Sequence, residues 1–95
     1  MKQTGKYDIP TPALLLDLDK MEYNINKMAR FFQDRTANVR PMFKTPKLLP
    51  IARRQLEAGA GGITCAKLSE AEVLVKGGVR DILIANQVIG PDKIA

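Results

Sequence analysis

The chain contains 95 residues, of which 45% are hydrophobic and 26% are charged. These fractions are typical of a globular domain and exclude a disordered tail, a collagen-like repeat and a disulfide scaffold. No apolar run approaches the roughly 18–20 residues that a membrane span requires. Residues 1–10 are polar, and the Leu14–Leu16 run behind them is shorter than the apolar region of a secretory signal.

Fifteen Lys and Arg residues against ten Asp and Glu residues give a formal charge of +5. A basic balance favours anionic partners, but the cations are scattered and aromatic side chains for base stacking are few. Cys65 is the single cysteine and there is no histidine, which excludes an intrachain disulfide and disfavours a zinc site. We therefore expect a cytoplasmic protein with no nucleic-acid partner, no membrane partner and no metal ligands in this segment.

The first elements are an extended arm, a short strand and a helix. Pro10 and Pro12 keep the residues before them out of the helical region, which predicts an arm over residues 1–12. Ala13–Asp17 is apolar and predicts a strand. Asp19 with Glu22 forms a capping-box pattern, and the apolar residues behind it recur at helical spacing. This pattern predicts an amphipathic helix over residues 20–34.

The remaining elements alternate between strands and helices. Val39–Phe43 predicts a second strand, and Thr45–Pro46 predicts the start of a helix that Gly59 ends. The last predicted elements are a strand over Gly61–Ala66, a helix from the Ser69/Glu72 capping box to Gly77–Gly78, a strand over Asp81–Ala85 and a helix beginning at Pro91.

Strands near Val39, Ile63 and Ile82 follow one another at intervals of roughly twenty residues, which suits βα units. Their continuous apolar character predicts a parallel sheet covered on both faces, in a (β/α) barrel or an open doubly wound sheet. A barrel needs eight strands and roughly 250 residues. We therefore expect the N-terminal piece of a longer protein; the alternative is an intact small α/β domain.

Lys44 is the strongest candidate for chemistry. It follows the predicted strand Val39–Phe43, and ligands bind at the carboxyl ends of strands in barrels and open α/β sheets. A lysine that is partly desolvated there, close to Arg40 and Lys47, would favour its neutral amine and would act as a nucleophile that forms a Schiff base with a carbonyl. The alternative is a strand-end lysine that extends into solvent.

Six stretches carry a resemblance to a known family, and they follow one another along nearly the whole chain. They are Thr11–Asp19, Asn24–Ile25, Arg40-Pro41-x-x-Lys44-Thr45-x-Lys47, Gln55–Thr64, Glu70–Val73 and Asp81–Ala85. In this order and spacing they resemble the start of the D-threonine aldolase and D-serine dehydratase family. These are fold-type III pyridoxal-phosphate enzymes, related in fold to alanine racemase.

The resemblance implies a fold, a cofactor and a division of the chain. The fold is an α/β TIM-like (β/α)8 barrel followed by a mostly β domain, and Lys44 would hold pyridoxal phosphate at the barrel mouth as a Schiff base. Residues 1–19 would be an arm and strand associated with the β domain, and residues 20–95 would be the first βα units of the barrel. The resemblance also implies a homodimer and a divalent metal bound by residues beyond Ala95.

Two positions depart from the family pattern, in which histidines flank the lysine motif. Met42 and Pro46 stand in their places. Lys44 is retained, so cofactor attachment is still expected, whereas the choice of the bond that breaks is left open by these replacements.

Three further residues are weighed as site residues. Thr64 and Asn86 fall near the ends of the next two strands, where both would line the cofactor pocket; the alternatives are a hydroxyl bonded to backbone and a turn asparagine. Cys65 is interpreted as a small buried hydrophobe, since no histidine is present to activate a thiol.

The chain is accordingly interpreted as part of a pyridoxal-phosphate-dependent lyase that acts on a small D-amino acid. Retro-aldol cleavage and β-elimination share their opening steps, and this segment does not separate them. The alternatives are an amino-acid racemase of the same fold, a non-catalytic pyridoxal-phosphate carrier, and a basic binding module in which Lys44 is a surface charge.

Overall fold

A computed structural model describes residues 5–95, which form four α-helices and two short strands. A single 3-10 turn over Lys6–Asp8 precedes them. In chain order the elements are α1 (Leu18–Phe32), α2 (Leu49–Glu57), β1 (Ile63–Cys65), α3 (Leu68–Lys76), β2 (Ile82–Ile84) and α4 (Pro91–Ile94). The predicted alternation of helices and strands is therefore confirmed from α2 onward.

The sheet is parallel, with β1 between β2 and a bridging segment around Met42. Ile63 is in register with Ile82, and Cys65 is in register with Ile84. On the other side of β1, Met42 forms a parallel bridge with Thr64. The predicted strand over Val39–Phe43 is thus reduced to this bridge.

The hydrophobic core lies on one face of the sheet. Phe43, Ile63 and Cys65 pack there against the helices, and the other fully buried apolar residues are Ala52, Ala71, Leu74 and Val79. Successive side chains of a strand point to opposite faces of the sheet, so the neighbours of these residues along the chain lie on the opposite face. Two of them, Met42 and Leu83, are 38% and 51% exposed. The prediction of a sheet covered on both faces is wrong for residues 5–95, because the helices pack against one face only.

Helix α1 begins earlier than predicted. Its N-cap is Asp17, whose carboxylate accepts a hydrogen bond of 3.1 Å from the backbone N–H of Lys20. Asp19 lies inside the first turn, and Glu22 pairs with Arg54 of α2 and does not complete a capping box. The capping-box pattern of Asp19 and Glu22 therefore does not mark the start of this helix.

Helix α2 begins later than predicted, at Leu49. Thr45 and Pro46 lie in a turn that the backbone N–H of Lys47 closes by donating to the carbonyl of Phe43 at 2.9 Å. In a helix that started at Pro46, the N–H that Pro50 lacks would be needed for a hydrogen bond within the helix. A start at Leu49 puts Pro50 in the first turn, where no such bond is required. The predicted end is confirmed, since Gly59 follows the helix with φ of 113°.

Helix α3 begins at Leu68 with Lys67 as its N-cap, so the predicted capping role of Ser69 is wrong. The buried carboxylate of Glu70 instead accepts a hydrogen bond from the backbone N–H of Ala66 at 3.3 Å. The helix ends at Gly77–Gly78 as predicted, and α4 begins at Pro91 as predicted.

The residues before α1 differ from the prediction. The first four residues of the predicted arm lie outside the described residues, and Lys6–Asp8 form the 3-10 turn. The predicted strand over Ala13–Asp17 does not form, and all five residues are exposed. A strand requires a hydrogen-bonded neighbour, and no segment between residues 5 and 95 bridges to these residues. Within that same range, each helix is too short or too polar to cross a lipid bilayer.

Candidate active site

Lys44 lies at the carboxyl-terminal edge of the sheet, directly after the segment that pairs with β1. Its neighbour Phe43 is buried at 3% exposure and donates its backbone N–H to the carbonyl of Thr64 at 2.7 Å. Lys44 opens the turn that follows, and it is exposed. The predicted position at a strand end is therefore confirmed, whereas the predicted partial desolvation is wrong for these residues, because nothing covers the edge of the sheet there.

Arg40 was predicted to lie close to Lys44, but its side chain pairs with a different residue. Its guanidinium Nη1 lies 2.6 Å from Oδ1 of Asp81, the residue before β2. This ion pair belongs to the amino-terminal edge of the sheet, opposite the edge that carries Lys44. The hydrogen bond from Arg40 lowers the pKa of Asp81, and the same contact raises the pKa of Arg40.

Gly62 immediately precedes β1 and lies against this ion pair. A Cβ atom at this position would meet the guanidinium of Arg40 and would lie 2.6 Å from the carbonyl oxygen of Asp81. Sequence reasoning missed the Arg40–Asp81 pair, because the two residues are separated by 41 positions. The available signal was Gly62 itself, since a glycine at a strand start often marks a close approach of another group.

Thr64 lies in the middle of β1, in register with Leu83 and bridged to Met42. The side chain is buried at 8% exposure, and its hydroxyl donates to the backbone carbonyl of Arg40 at 3.2 Å. Thr64 therefore precedes the carboxyl-terminal edge, and its hydroxyl has the backbone partner that the alternative interpretation expected. Its place in a cofactor pocket stays a prediction.

Asn86 lies just beyond β2, at the same edge of the sheet as Lys44. It is exposed, and its side-chain oxygen accepts a hydrogen bond of 2.9 Å from the backbone N–H of Gln87. This is a local contact with the next residue of the chain, so the side-chain oxygen is bonded to nearby backbone. The parallel arrangement thus brings Lys44 and Asn86 to one edge and leaves Thr64 within the sheet.

Cys65 is fully buried in the core between the sheet and the helices. Burial and the nearby carboxylate of Glu70 both raise the pKa of its thiol. A raised pKa keeps the thiol protonated at neutral pH and therefore unreactive. The interpretation of Cys65 as a packing residue is consistent with this environment. Between residues 5 and 95 no three His, Cys, Asp or Glu side chains converge on a common point.

Two clefts lie along α1, away from Lys44. One of about 690 Å³ includes the turn at residues 35–39 and the end of α2, on the amino-terminal side of the sheet. The other, of about 290 Å³, separates Ile25 and Met28 of α1 from Gln55 and Ala58. Neither has Lys44, Thr64 or Asn86 in its lining, so the candidate site is defined by the sheet edge and by no enclosed cavity.

An exposed lysine at the carboxyl-terminal edge of a parallel sheet, with helices on one face, is an arrangement of α/β barrel enzymes. The family described as "Alanine racemase, N-terminal domain" matches residues 16–95, and the chain belongs to this family. The predicted family is therefore confirmed.

Individual relatives are aldolases and dehydratases by name. The chain is 44% identical over 87 residues to a D-threonine aldolase from an Arthrobacter species, a match that covers 92% of this chain and 23% of the relative. It is 43% identical over 77 residues to a D-threo-3-hydroxyaspartate dehydratase from a Delftia species, covering 81% of this chain and 20% of that enzyme. The crystal structure of D-threonine aldolase from Filomicrobium marinum superposes with a TM-score of 0.89 at 44% identity, over 94% of this chain and 24% of that one.

The chain thus spans about a quarter of the length of the relatives that it matches. The fold of this quarter is shared with them. About three quarters of the length of each of these relatives lies outside the matched region.

Proposed function

We propose that the protein is a pyridoxal-phosphate-dependent lyase that acts on a small D-amino acid, and that Lys44 is the residue that holds the cofactor. The observation that carries this proposal is the position of Lys44, exposed at the carboxyl-terminal edge of a parallel sheet. Its support is the similarity to a D-threonine aldolase and a D-threo-3-hydroxyaspartate dehydratase.

The residues at this edge fit a covalently held cofactor. Lys44 belongs to neither of the two ion pairs found between residues 5 and 95, so its amine is available. The sheet face beside it carries the partly exposed side chains of Met42 and Leu83, which offer an apolar surface to a planar ring. Pyridoxal phosphate, when bound, supplies an electron sink for a bond broken at the α or neighbouring carbon of an amino acid.

The residues of this chain then have distinct tasks. Lys44 would hold the cofactor covalently through its Nζ, and its amine would be free again once a substrate amine had replaced it. As a free amine at the sheet edge it is able to carry a proton to or from the substrate. Met42 and Leu83 exclude water from one side, and Thr64 and Asn86 are assigned to the lining of the pocket.

The whole protein is proposed to complete this edge into a (β/α)8 barrel with a second, mostly β domain that contacts residues 1–19. A homodimer in the cytoplasm, without nucleic-acid or membrane partners, and a divalent metal bound by residues outside this chain belong to the same proposal. One related dehydratase has been solved in a form described as metal-free, with a TM-score of 0.86.

The test is the mass of the protein as it occurs in its source, before and after borohydride reduction, with peptide mapping. We expect a pyridoxyl adduct on Lys44, and we expect the Lys44→Ala variant to lose both the adduct and lyase activity toward D-threonine and D-3-hydroxyaspartate. Lys76→Ala is the matched control, because Lys76 is exposed in the last turn of α3, away from this edge.

Other results would support other functions. An adduct on Lys44 with interconversion of D- and L-amino acids and no cleavage would favour a racemase, and an adduct without any turnover would favour a cofactor carrier. A protein without the adduct, with anion binding that weakens steeply as salt rises, would favour the basic binding module.

A further inference from the structure

Lys47 has an unusual backbone conformation beside the candidate site. Its φ angle is 49°, and among residues 5–95 it is the one residue other than glycine with a positive φ. The left-handed region is unfavourable for most L-residues, and lysine has no special tolerance for it. Such a conformation persists where the surrounding structure requires it.

The turn that contains Lys44 is closed by a hydrogen bond and ends at the left-handed residue. The backbone N–H of Lys47 donates to the carbonyl of Phe43 at 2.9 Å. Phe43 is itself fixed, because its ring is buried in the core and its N–H donates to Thr64 on β1 at 2.7 Å. The turn is thereby closed on a residue that is attached to β1, and the φ angle of Lys47 sets the direction in which the chain leaves the turn.

The side chain of Lys47 does not account for its conformation. It is exposed and takes part in neither ion pair found in the described range. The next residue, Leu48, is extended with φ of −126° and ψ of 119°, and α2 starts directly after it. The left-handed residue therefore reverses the chain between the strand end and the helix.

We propose that Lys47 is a positioning residue, whose left-handed backbone directs the chain from the turn over residues 43–47 into α2 and thereby fixes Lys44 at the sheet edge. This proposal rests on the proposed function, because it requires that Lys44 is the residue that holds the cofactor. The backbone of Lys47 is the functional element, and its ammonium group is dispensable.

The test compares uncharged substitutions that differ in how readily they adopt a left-handed backbone conformation. Glycine and asparagine adopt left-handed conformations readily, whereas the β-branched valine does not. In the complete protein we expect Lys47→Gly and Lys47→Asn to bind pyridoxal phosphate as the unaltered protein does, with the same visible absorption spectrum. We expect Lys47→Val to bind it about tenfold more weakly, with a changed spectrum.

A role for the charge gives the opposite pattern. If the ammonium group mattered, all three neutral variants would lose binding equally and Lys47→Arg would retain it. That result would overturn the proposal. Equal binding by Lys47→Val and the unaltered protein would overturn it as well.

A second readout needs no cofactor. Hydrogen exchange of the backbone amide at position 47, measured in the cofactor-free protein, reports the bond to Phe43 directly. We expect greater protection of this amide, relative to its intrinsic exchange rate, in Lys47→Gly than in Lys47→Val, or than in Lys47→Ala if the valine variant does not fold; equal protection would overturn the proposal. Absence of a pyridoxyl adduct on Lys44 in the unaltered protein would instead refute the proposed function, so the two failures are distinguishable.

Discussion

Arg40 and Asp81 hold the amino-terminal edge of the sheet together. Arg40 precedes the segment that bridges to β1, and Asp81 precedes β2, so their ion pair joins the two outer segments across β1. The guanidinium also contacts the backbone carbonyl of Asp81 at 3.3 Å. Gly62 lies beneath both groups and leaves space for them. The ion pair thus fixes the edge opposite the one that carries Lys44.

The Arg40–Asp81 pair predicts a dependence of stability on pH. Because Arg40 lowers the pKa of Asp81 in the folded protein, the pair stabilises the fold above the ordinary carboxyl pKa of 3.8, and this stabilisation is lost as pH falls through the lower folded value. We expect the melting temperature to decrease in acid, and we expect Asp81→Asn to remove part of that decrease. Thermal melting of the complete protein and its variants, between neutral pH and about pH 3, measures this decrease.

Asp34 provides the control for this measurement. It lies in the exposed turn after α1 and takes part in neither ion pair between residues 5 and 95. Asp34→Asn is expected to retain the full acid dependence. Identical pH profiles for Asp81→Asn and the unaltered protein would contradict the stabilising role of the pair.

At the scale of elements, the sequence predicted which elements form more accurately than where they begin. Apolar periodicity identified α1, start signals at Thr45–Pro46 and Ser69/Glu72 identified α2 and α3, and Gly59 and Gly77–Gly78 ended two of these helices where expected. The helix starts differ from the predicted ones: Asp17 caps α1, whereas the N-cap residues of α2 and α3 make no side-chain capping hydrogen bond. Asp17 is used in place of Asp19, and Leu49 starts α2 in place of Pro46.

The candidate site was predictable to a similar degree. Parallel order places Lys44 and Asn86 at one edge, and that order follows from the βα pattern. The depth of Thr64 within β1 and the partner of Arg40 depend on register and on contacts 24 and 41 residues apart. The left-handed conformation of Lys47 has no signature in the sequence, since lysine is not a residue that prefers it.

The N-cap of α1 gives a direct test of this element's start. Asp17 accepts the N–H of Lys20, so Asp17→Ala is expected to destabilise α1 by about 0.5–2 kcal/mol, and Asp17→Asn, which keeps an acceptor, by much less. Asp19 lies in the first turn and contributes only through the helix dipole, about 0.3–1 kcal/mol. Urea denaturation and amide exchange in α1 measure these effects; a larger loss in Asp19→Ala than in Asp17→Ala would place the cap where the sequence pattern suggested.

At the scale of the whole molecule, residues 5–95 form a sheet that is covered on one side. Helices α2 and α3 supply the core, while Met42 and Leu83 on the opposite face are partly exposed and Leu14 is fully exposed. Helix α1 is separated from α2 by an apolar cleft of about 290 Å³. The Cα radius of gyration is 16.3 Å, compared with about 12 Å for a compact domain of 95 residues.

This open architecture predicts the behaviour of residues 1–95 expressed alone. The outer edges of β2 and of the bridging segment around Met42 present unpaired backbone groups, which promote association between chains, and the uncovered apolar face has the same effect. We therefore expect the isolated segment to associate in gel filtration, to unfold without a cooperative transition in circular dichroism, and to lack lyase activity. In the proposed barrel, further strands and helices would cover this face, and the complete protein is therefore expected to unfold cooperatively under the same conditions. A monomeric segment with a sharp thermal transition would show that the core around Leu74 and Ile63 is sufficient to stabilise this fold.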